Sequence, residues 1–216
     1  MTSKTKEEKR GWKQDPAAVR GDILAVATSE FATNGFSGAR VDSIAASTRT
    51  SKRMIYYYFG DKLGLYTSVL EAAYRTVREG EAKLELDHLP PLEALTRLVA
   101  FTFDHHRNHP EFIRLVMIEN IHHAEALQAS PSIREMNVAA IAKLRALCQR
   151  GEAEGVFRSG LDPIALHWQI SAASFFNVSN RPTFSALFGK GLFREDAQQR
   201  LRDQTVEAIL AITRRR

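Results

Sequence analysis

Two groups of side chains in this sequence could do chemistry. The first is Ser51-Lys52-Arg53-Met54, followed by Tyr56-Tyr57-Tyr58 and Lys62. A hydroxyl, two cations and three phenols at the start of a short helix suit an anionic polymer, because backbone N–H groups at a helix start also attract phosphate. Three consecutive tyrosines sweep through nearly a full helical turn, so at least one phenol must face outward. Tyr56 has a second reading, as a core tyrosine with a wet hydroxyl. The second group is histidine-rich: His105, His106, His109, His122 and His123, together with Glu85-x-x-His88 and Glu119-x-x-His122. Paired Glu-x-x-His motifs on bundle helices are how di-iron carboxylate proteins hold their metals. A four-helix-bundle metalloprotein using the His/Glu cluster around residues 105–123 is therefore the rival reading. It ranks second, because Glu85 and His88 lie at a helix end beside Pro90-Pro91 and two further bridging glutamates have no clear place. No metal site is assigned. Gly-x-Ser-x-Gly, His-Glu-x-x-His, P-loop and dinucleotide fingerprints do not occur, so no catalytic residue and no cofactor is expected.

The elements that must position these groups are all helical. Ile23, Leu24, Ala27, Phe31 and Ala32 recur at helical spacing over about 18–34, and Asn34-Gly35 reads as a stop. Short helices follow over about 41–48 and 52–58, with Ser51 as N-cap of the second. Asp61 caps a fourth, from Lys62 towards Glu85, whose apolar side is Leu63, Leu65, Tyr66, Val69, Leu70 and Ala73. Proline and glycine then punctuate helices over about 92–107, 111–128, 132–153, 163–178 and 195–213, with an apolar loop or short helix over 184–193. No stretch alternates as strands would. The fold class is all-α.

The stretch Val41–Leu65 is arranged as a helix, a turn and a second helix, the geometry that rests one helix on the phosphates and puts the next in a major groove. With Ile23-Leu24, Ala27, Phe31-Ala32, Gly35-Phe36, Val41, Ile44-Ala45, Ser51-Lys52, Tyr56, Phe59 and Lys62, it resembles the DNA-binding domain of the TetR/AcrR family of bacterial one-component repressors over about residues 20–66. The resemblance implies phosphate contacts at Arg40 or its neighbour, Ser51, Lys52, Tyr56, Tyr58 and Lys62, and base contacts at Ser43, Arg53, Met54 and Tyr57. Two departures stand out. Arg49 occupies the turn where the family usually carries glycine, so that residue is strained or the turn is altered. Gly60-Asp61 replaces the usual Pro or Ser near the fourth helix's cap while keeping the capping logic.

Residues 1–17, charged and poor in apolar side chains, read as a basic arm, either a minor-groove arm or a solubilising tail. The resemblance implies that 18–66 form the helix-turn-helix domain and 67–216 a larger helical regulatory and dimerisation domain. In the family the last two long helices build the dimer interface. Here Ile164, Ala165, Trp168, Ile170, Ala172, Phe175 and Phe176, with Leu201, Val206, Ile209, Leu210 and Ile212, are too apolar to be left exposed, and either meet a partner or complete the chain's own core. A small-molecule pocket is expected among the middle helices, with Tyr74, Phe101, His105, Met117, Asn120, His122, Trp168, Phe175 and Asn177 as candidates and an aromatic or apolar effector. The implied partners are a double-stranded DNA operator, the effector and a second copy of the chain.

Charge agrees with an anionic partner. The 216 residues carry a formal net charge of +5, and most of the excess lies in the first 62 positions. The single Cys148 excludes an internal disulfide and fits a reducing compartment. The polar N-terminus lacks a signal-peptide core, and no stretch has the apolar length of a membrane span, so a cytoplasmic protein without membrane contact is expected.

Overall fold

A computed structural model describes residues 15–215. The expected basic arm therefore lies almost wholly outside the described residues. The chain enters α1 (Pro16–Gly38) at Asp15, whose carboxylate accepts from the N–H groups of Ala17 and Ala18 at 3.0 and 3.1 Å. Pro16 fits the first helical position, where no donor is needed. The stop expected at Gly35 is a kink instead: Gly35 adopts φ 69°, and helical turns resume to Gly38. Helices α2 (Val41–Ser47), α3 (Lys52–Phe59) and α4 (Lys62–Ala82) follow.

A 3₁₀ turn, Leu86–His88, leads to α5 (Pro91–Asn108) and α6 (Pro110–Ile121). The single helix expected over 111–128 is broken. His123 and Ala124 take left-handed φ values of 56° and 60°, and α7 (Glu125–Gln128) is one short turn beyond them. Then come α8 (Pro131–Ala153), α9 (Pro163–Ser179), α10 (Arg181–Phe188), a 3₁₀ turn at Gly191–Phe193 and α11 (Glu195–Thr213). The apolar loop or short helix expected over 184–193 begins earlier, as α10 from Arg181, with Pro182 in its first turn.

Packing divides the chain into two units. One holds the residues up to Ala73 together with Arg114–Ser130; the other holds Tyr74–Ile113 and Pro131 onward. The expected boundary at residues 66–67 falls inside α4, and the second unit begins at Tyr74.

In the first unit Ile23, Ala27, Phe31, Ile44, Ile55 and Leu65 are fully buried. Phe31 meets the Tyr66 ring edge-on at 4.9 Å, and Phe36 closes on Tyr66 at 5.2 Å. The Tyr66 hydroxyl donates to the buried Glu119 at 2.9 Å, and the Leu127 N–H donates to the other Glu119 oxygen at 3.1 Å. Buried carboxylates need such donors, and this one ties α4 to α6 and α7 inside the unit. Leu63, expected on the apolar side of α4, is 50% exposed.

In the second unit α5 packs against α8, α9 and α11. Leu95, Val99, Leu147, Phe157, Leu166 and Ile170 belong to its core. Phe157 is seated at the end of α8 because Gly151 has no side chain; a Cβ there would lie 2.0 Å from the Phe157 ring. The Arg158 N–H then donates to Thr213 O at 2.8 Å, and the Arg215 N–H donates to Val156 O at 3.1 Å, which fastens the end of α11.

Candidate functional site

Helix α3 is eight residues long and buries only Ile55 and Phe59. Their i, i+4 spacing puts both on one face and turns the intervening side chains outward. Ser51 caps the helix, its hydroxyl accepting from the Met54 N–H at 3.4 Å. Arg53 is exposed, Met54 half-buried, Tyr56 exposed and Tyr57 77% exposed. Tyr58 is half-buried and lies edge-on to Tyr57 at 5.4 Å.

Around α3 lie the other residues named from the sequence. Arg40 and Ser43 are exposed on and beside α2, and the Arg40 N–H is held by the Glu30 carboxylate at 3.0 Å. Lys52 pairs with Asp42 of α2 at 2.9 Å, and its ammonium lies 6.0 Å from the Tyr56 ring centre. The hydrogen bond to Asp42 raises the Lys52 pKa above its ordinary value. Lys62 donates to Ser37 O at 3.3 Å and lies over Phe36 at 5.1 Å. A cation at a helix start thus already has two local partners, and phosphate is not needed to explain it.

Arg49 resolves the first departure. It is absent from the left-handed residues, and its N–H donates to the Asp22 carboxylate at 3.2 Å. The turn is altered rather than strained, and a carboxylate of α1 takes the donor it presents. Sequence reading missed Asp22, Asp42 and Glu30 as the acidic counterparts of this basic surface. It also missed Arg20, which lies over the Phe59 ring at 5.5 Å.

Three of the nine residues put forward as ligand contacts come together: Tyr74 and His105 both meet the Phe112 ring, and Phe101 lies beside His105. Tyr74 meets Phe112 edge-on at 5.3 Å, Phe101 lies 5.5 Å from His105, and His105 stacks on His109 at 4.1 Å. Met117 is half-buried, while Asn120 and His122 are exposed. Trp168 is 71% exposed on α9, and Phe175 is half-buried. Asn177 is closed by a reciprocal amide pair with Gln198 at 2.8 and 3.0 Å. None of the nine lines the second unit's cavity, a space of about 150 Å³. Its apolar wall is Leu98, Met136, Leu144, Leu147 and Ile170. Its polar lining includes Arg78, Glu81, Thr102, Arg150 and His167, with the exposed Glu85, Asp87 and Lys143.

The metalloprotein reading fails on geometry. Among the described residues no three His, Cys, Asp or Glu side chains come together to hold a metal ion. Glu119 is committed to Tyr66 and Leu127, His122 is exposed, and Glu85 sits in a left-handed turn at φ 49°. His105 and His106 are buried, and burial first, then neighbouring positive charge including Arg78, lowers both pKa values to about 4. His106 Nδ1 lies 2.9 Å from the Ser174 hydroxyl. These are neutral core histidines.

The first unit is therefore a helix-turn-helix DNA-binding head: α2 and α3 are joined by a tight turn, and α3 shows its polar face. Comparison with known proteins agrees. The model of "Bacterial regulatory proteins, tetR family" matches residues 23–69, and that of "Tetracyclin repressor-like, C-terminal domain" matches residues 91–209. The HTH-type transcriptional repressor NicS of Pseudomonas putida is 36% identical over 185 residues, covering 86% of this chain and 87% of NicS. The HTH-type transcriptional repressor SCO4008 of Streptomyces coelicolor is 35% identical over 115 residues, covering 52% of this chain and 55% of its own. The crystal structure of "putative transcriptional regulator SCO4942 from Streptomyces coelicolor" superposes with a TM-score of 0.68 at 27% identity, over 90% of this chain and 98% of that one. The chain belongs to the tetR family of bacterial regulatory proteins, and so is a DNA-binding transcriptional regulator rather than an enzyme.

Proposed function

We propose that this protein is a cytoplasmic repressor that binds a palindromic operator as a homodimer and releases it when a small molecule enters the second unit. The observation that carries the reading is the outward face of α3, where Arg53, Tyr56 and Tyr57 are exposed beside a capped helix start. Ser43, Arg53, Met54 and Tyr57 read bases, with Arg53 suited to guanine, the partner arginine most often selects. Arg40, Ser51, Lys52, Tyr56, Tyr58 and Lys62 take phosphates. Two such heads, related by two-fold symmetry, match half-sites about one helical turn apart.

The effector reading is supported by the cavity and by α4, which begins at Lys62 in the head and carries Arg78 and Glu81 of the cavity lining. The effector acts only through a difference in its affinity for the DNA-bound and released states. The relatives NicS and SCO4008 are named as repressors, which favours repression over activation. No helix among the described residues is long and apolar enough to cross a membrane.

The test is selection of genomic fragments by the purified protein at moderate salt, with its mass measured in the same buffer. An enriched inverted repeat bound by a dimer is expected. Weak, salt-sensitive and sequence-blind binding would overturn the reading.

A further inference from the structure

The polar side of the second unit's cavity is built around two arginines. Arg78 of α4 pairs with Glu81 and donates to Asn137 Oδ1 at 3.1 Å. Arg150 of α8 donates through both Nη atoms to main-chain carbonyls, those of Asp87 and of Leu86, the latter at 2.9 Å. Each guanidinium is thus held in place, yet the Nε–H of each is buried without an acceptor among the described residues. A buried donor of a charged group left unpaired is costly, and folded proteins carry few of them.

Charge points the same way. Arg78 has a carboxylate partner in Glu81, but the acceptors of Arg150 are neutral carbonyls. The carboxylates of Glu85 and Asp87 belong to exposed residues, and the exposed Lys143 stands with them. Among the half-buried charges of the lining, two cations, Arg78 and Arg150, stand with one carboxylate, Glu81. The same cavity is lined by Leu98, Met136, Leu144 and Ile170. The cavity measures about 150 Å³, the size of space that accepts a benzene ring in an apolar core.

We propose that this cavity binds a small organic carboxylate with a ring-sized apolar body, its oxygens taken by the guanidinium groups of Arg78 and Arg150. The inference rests on the effector reading above and adds the chemical class. The ligand accepts from the Nε–H groups that lack an acceptor, and the Nη bonds of Arg150 to the carbonyls of Leu86 and Asp87 hold that guanidinium in position for it. The ring packs on the aliphatic wall, and the carboxylate supplies the negative charge that Arg150 lacks.

The experiment is calorimetric titration of the DNA-free, full-length protein with benzoate, its neutral isostere benzamide, and the cation benzylammonium. Benzoate is expected to bind at least about tenfold more tightly than benzamide, with benzylammonium weakest. Arg150→Gln should abolish the benzoate preference. Should that variant fail to fold, Ala140→Phe, which fills the cavity and leaves both arginines in place, should weaken benzoate and benzamide alike. Equal affinity for benzoate and benzamide, preference for the cation, or no binding of any of the three would overturn the proposal. Because the titration contains no DNA, failure to select an operator would sink the repressor reading and leave this result standing.

Discussion

Arg53 and Lys62 carry the same charge in different settings, and that difference sets what each can do for DNA. Arg53 is exposed near the start of α3, while Lys62 is held by Ser37 O and the Phe36 ring at the start of α4. Arg53→Ala should lower the ratio of operator to random-DNA affinity by about tenfold, the scale of one lost base contact. Lys62→Ala should weaken both DNAs equally and reduce the salt slope by about one. Fluorescence anisotropy with operator and scrambled duplexes over a salt series separates these outcomes; equal losses in both variants would contradict the assignment. The buried histidines give a second prediction at this scale. His105 and His106 have folded-state pKa values of about 4, below the ordinary 6.5, because burial disfavours the imidazolium. The unfolded chain therefore binds more protons between those values. The stability that depends on these neutral rings is complete above about pH 6.5 and is lost as pH falls towards 4, at roughly 1.4 kcal/mol per unit for each fully shifted group. Urea unfolding from pH 7.5 to 4.5 should show the loss, and His106→Gln should flatten it; an unchanged slope in that variant would remove His106 as a source.

Helix boundaries were legible because proline, glycine and caps mark them locally. Ser51 and Asp162-Pro163 each begin a helix by the expected hydrogen bonds or ring geometry, while Asp15-Pro16 starts α1 inside the stretch expected to be an arm. The break between α6 and α7 was not legible: His123 and Ala124 carry no turn signature, and tertiary contacts of Glu119 and Leu127 hold the chain there. The α3 surface could be read from spacing alone, since Ile55 and Phe59 fix which side is inward. The cavity could not, because its polar side comes from Arg78 and Arg150, 72 residues apart in the chain, and long cations read as solvent-facing in a sequence. Asn177 and Trp168 misled in opposite ways: one is sealed by Gln198, the other faces outward. Packing at element ends also depends on absent atoms, as at Gly151. Gly151→Ala would drive a Cβ to 2.0 Å from the buried Phe157 ring. It should cost about 1–3 kcal/mol, as overpacking does. A fall in the chemical denaturation midpoint is the expected readout, while unchanged stability would mean that Phe157 can leave its seat.

At the scale of the molecule, the question is what covers α9 and α10. The final helix was expected to contribute its apolar stripe to a partner, but Val206 and Ile209 are buried in the second unit's own core. The uncovered surface lies on α9, where Ile164, Trp168 and Phe176 are exposed as expected, on α10, where Leu187 and Phe188 are exposed, and at Ile212 of the final helix. Residues 164, 168, 172 and 176 recur at four-residue spacing, which makes one stripe down α9. An apolar strip of this kind is the mark of an association surface, and the homodimer proposed above would seat its second copy upon it. Trp168 is 71% exposed, so it adds little to its own unit and much to such an interface. Trp168→Glu should therefore halve the mass seen by sedimentation at micromolar concentration and leave the far-ultraviolet helical signal intact. Operator affinity should fall by about a hundredfold or more, because two linked heads gain from each other's proximity without any new contact. Affinity for a single half-site should stay unchanged, since no residue of α3 is touched. A variant that remains dimeric would place the interface elsewhere, and one that becomes monomeric without losing operator affinity would show that the two heads do not bind as a pair.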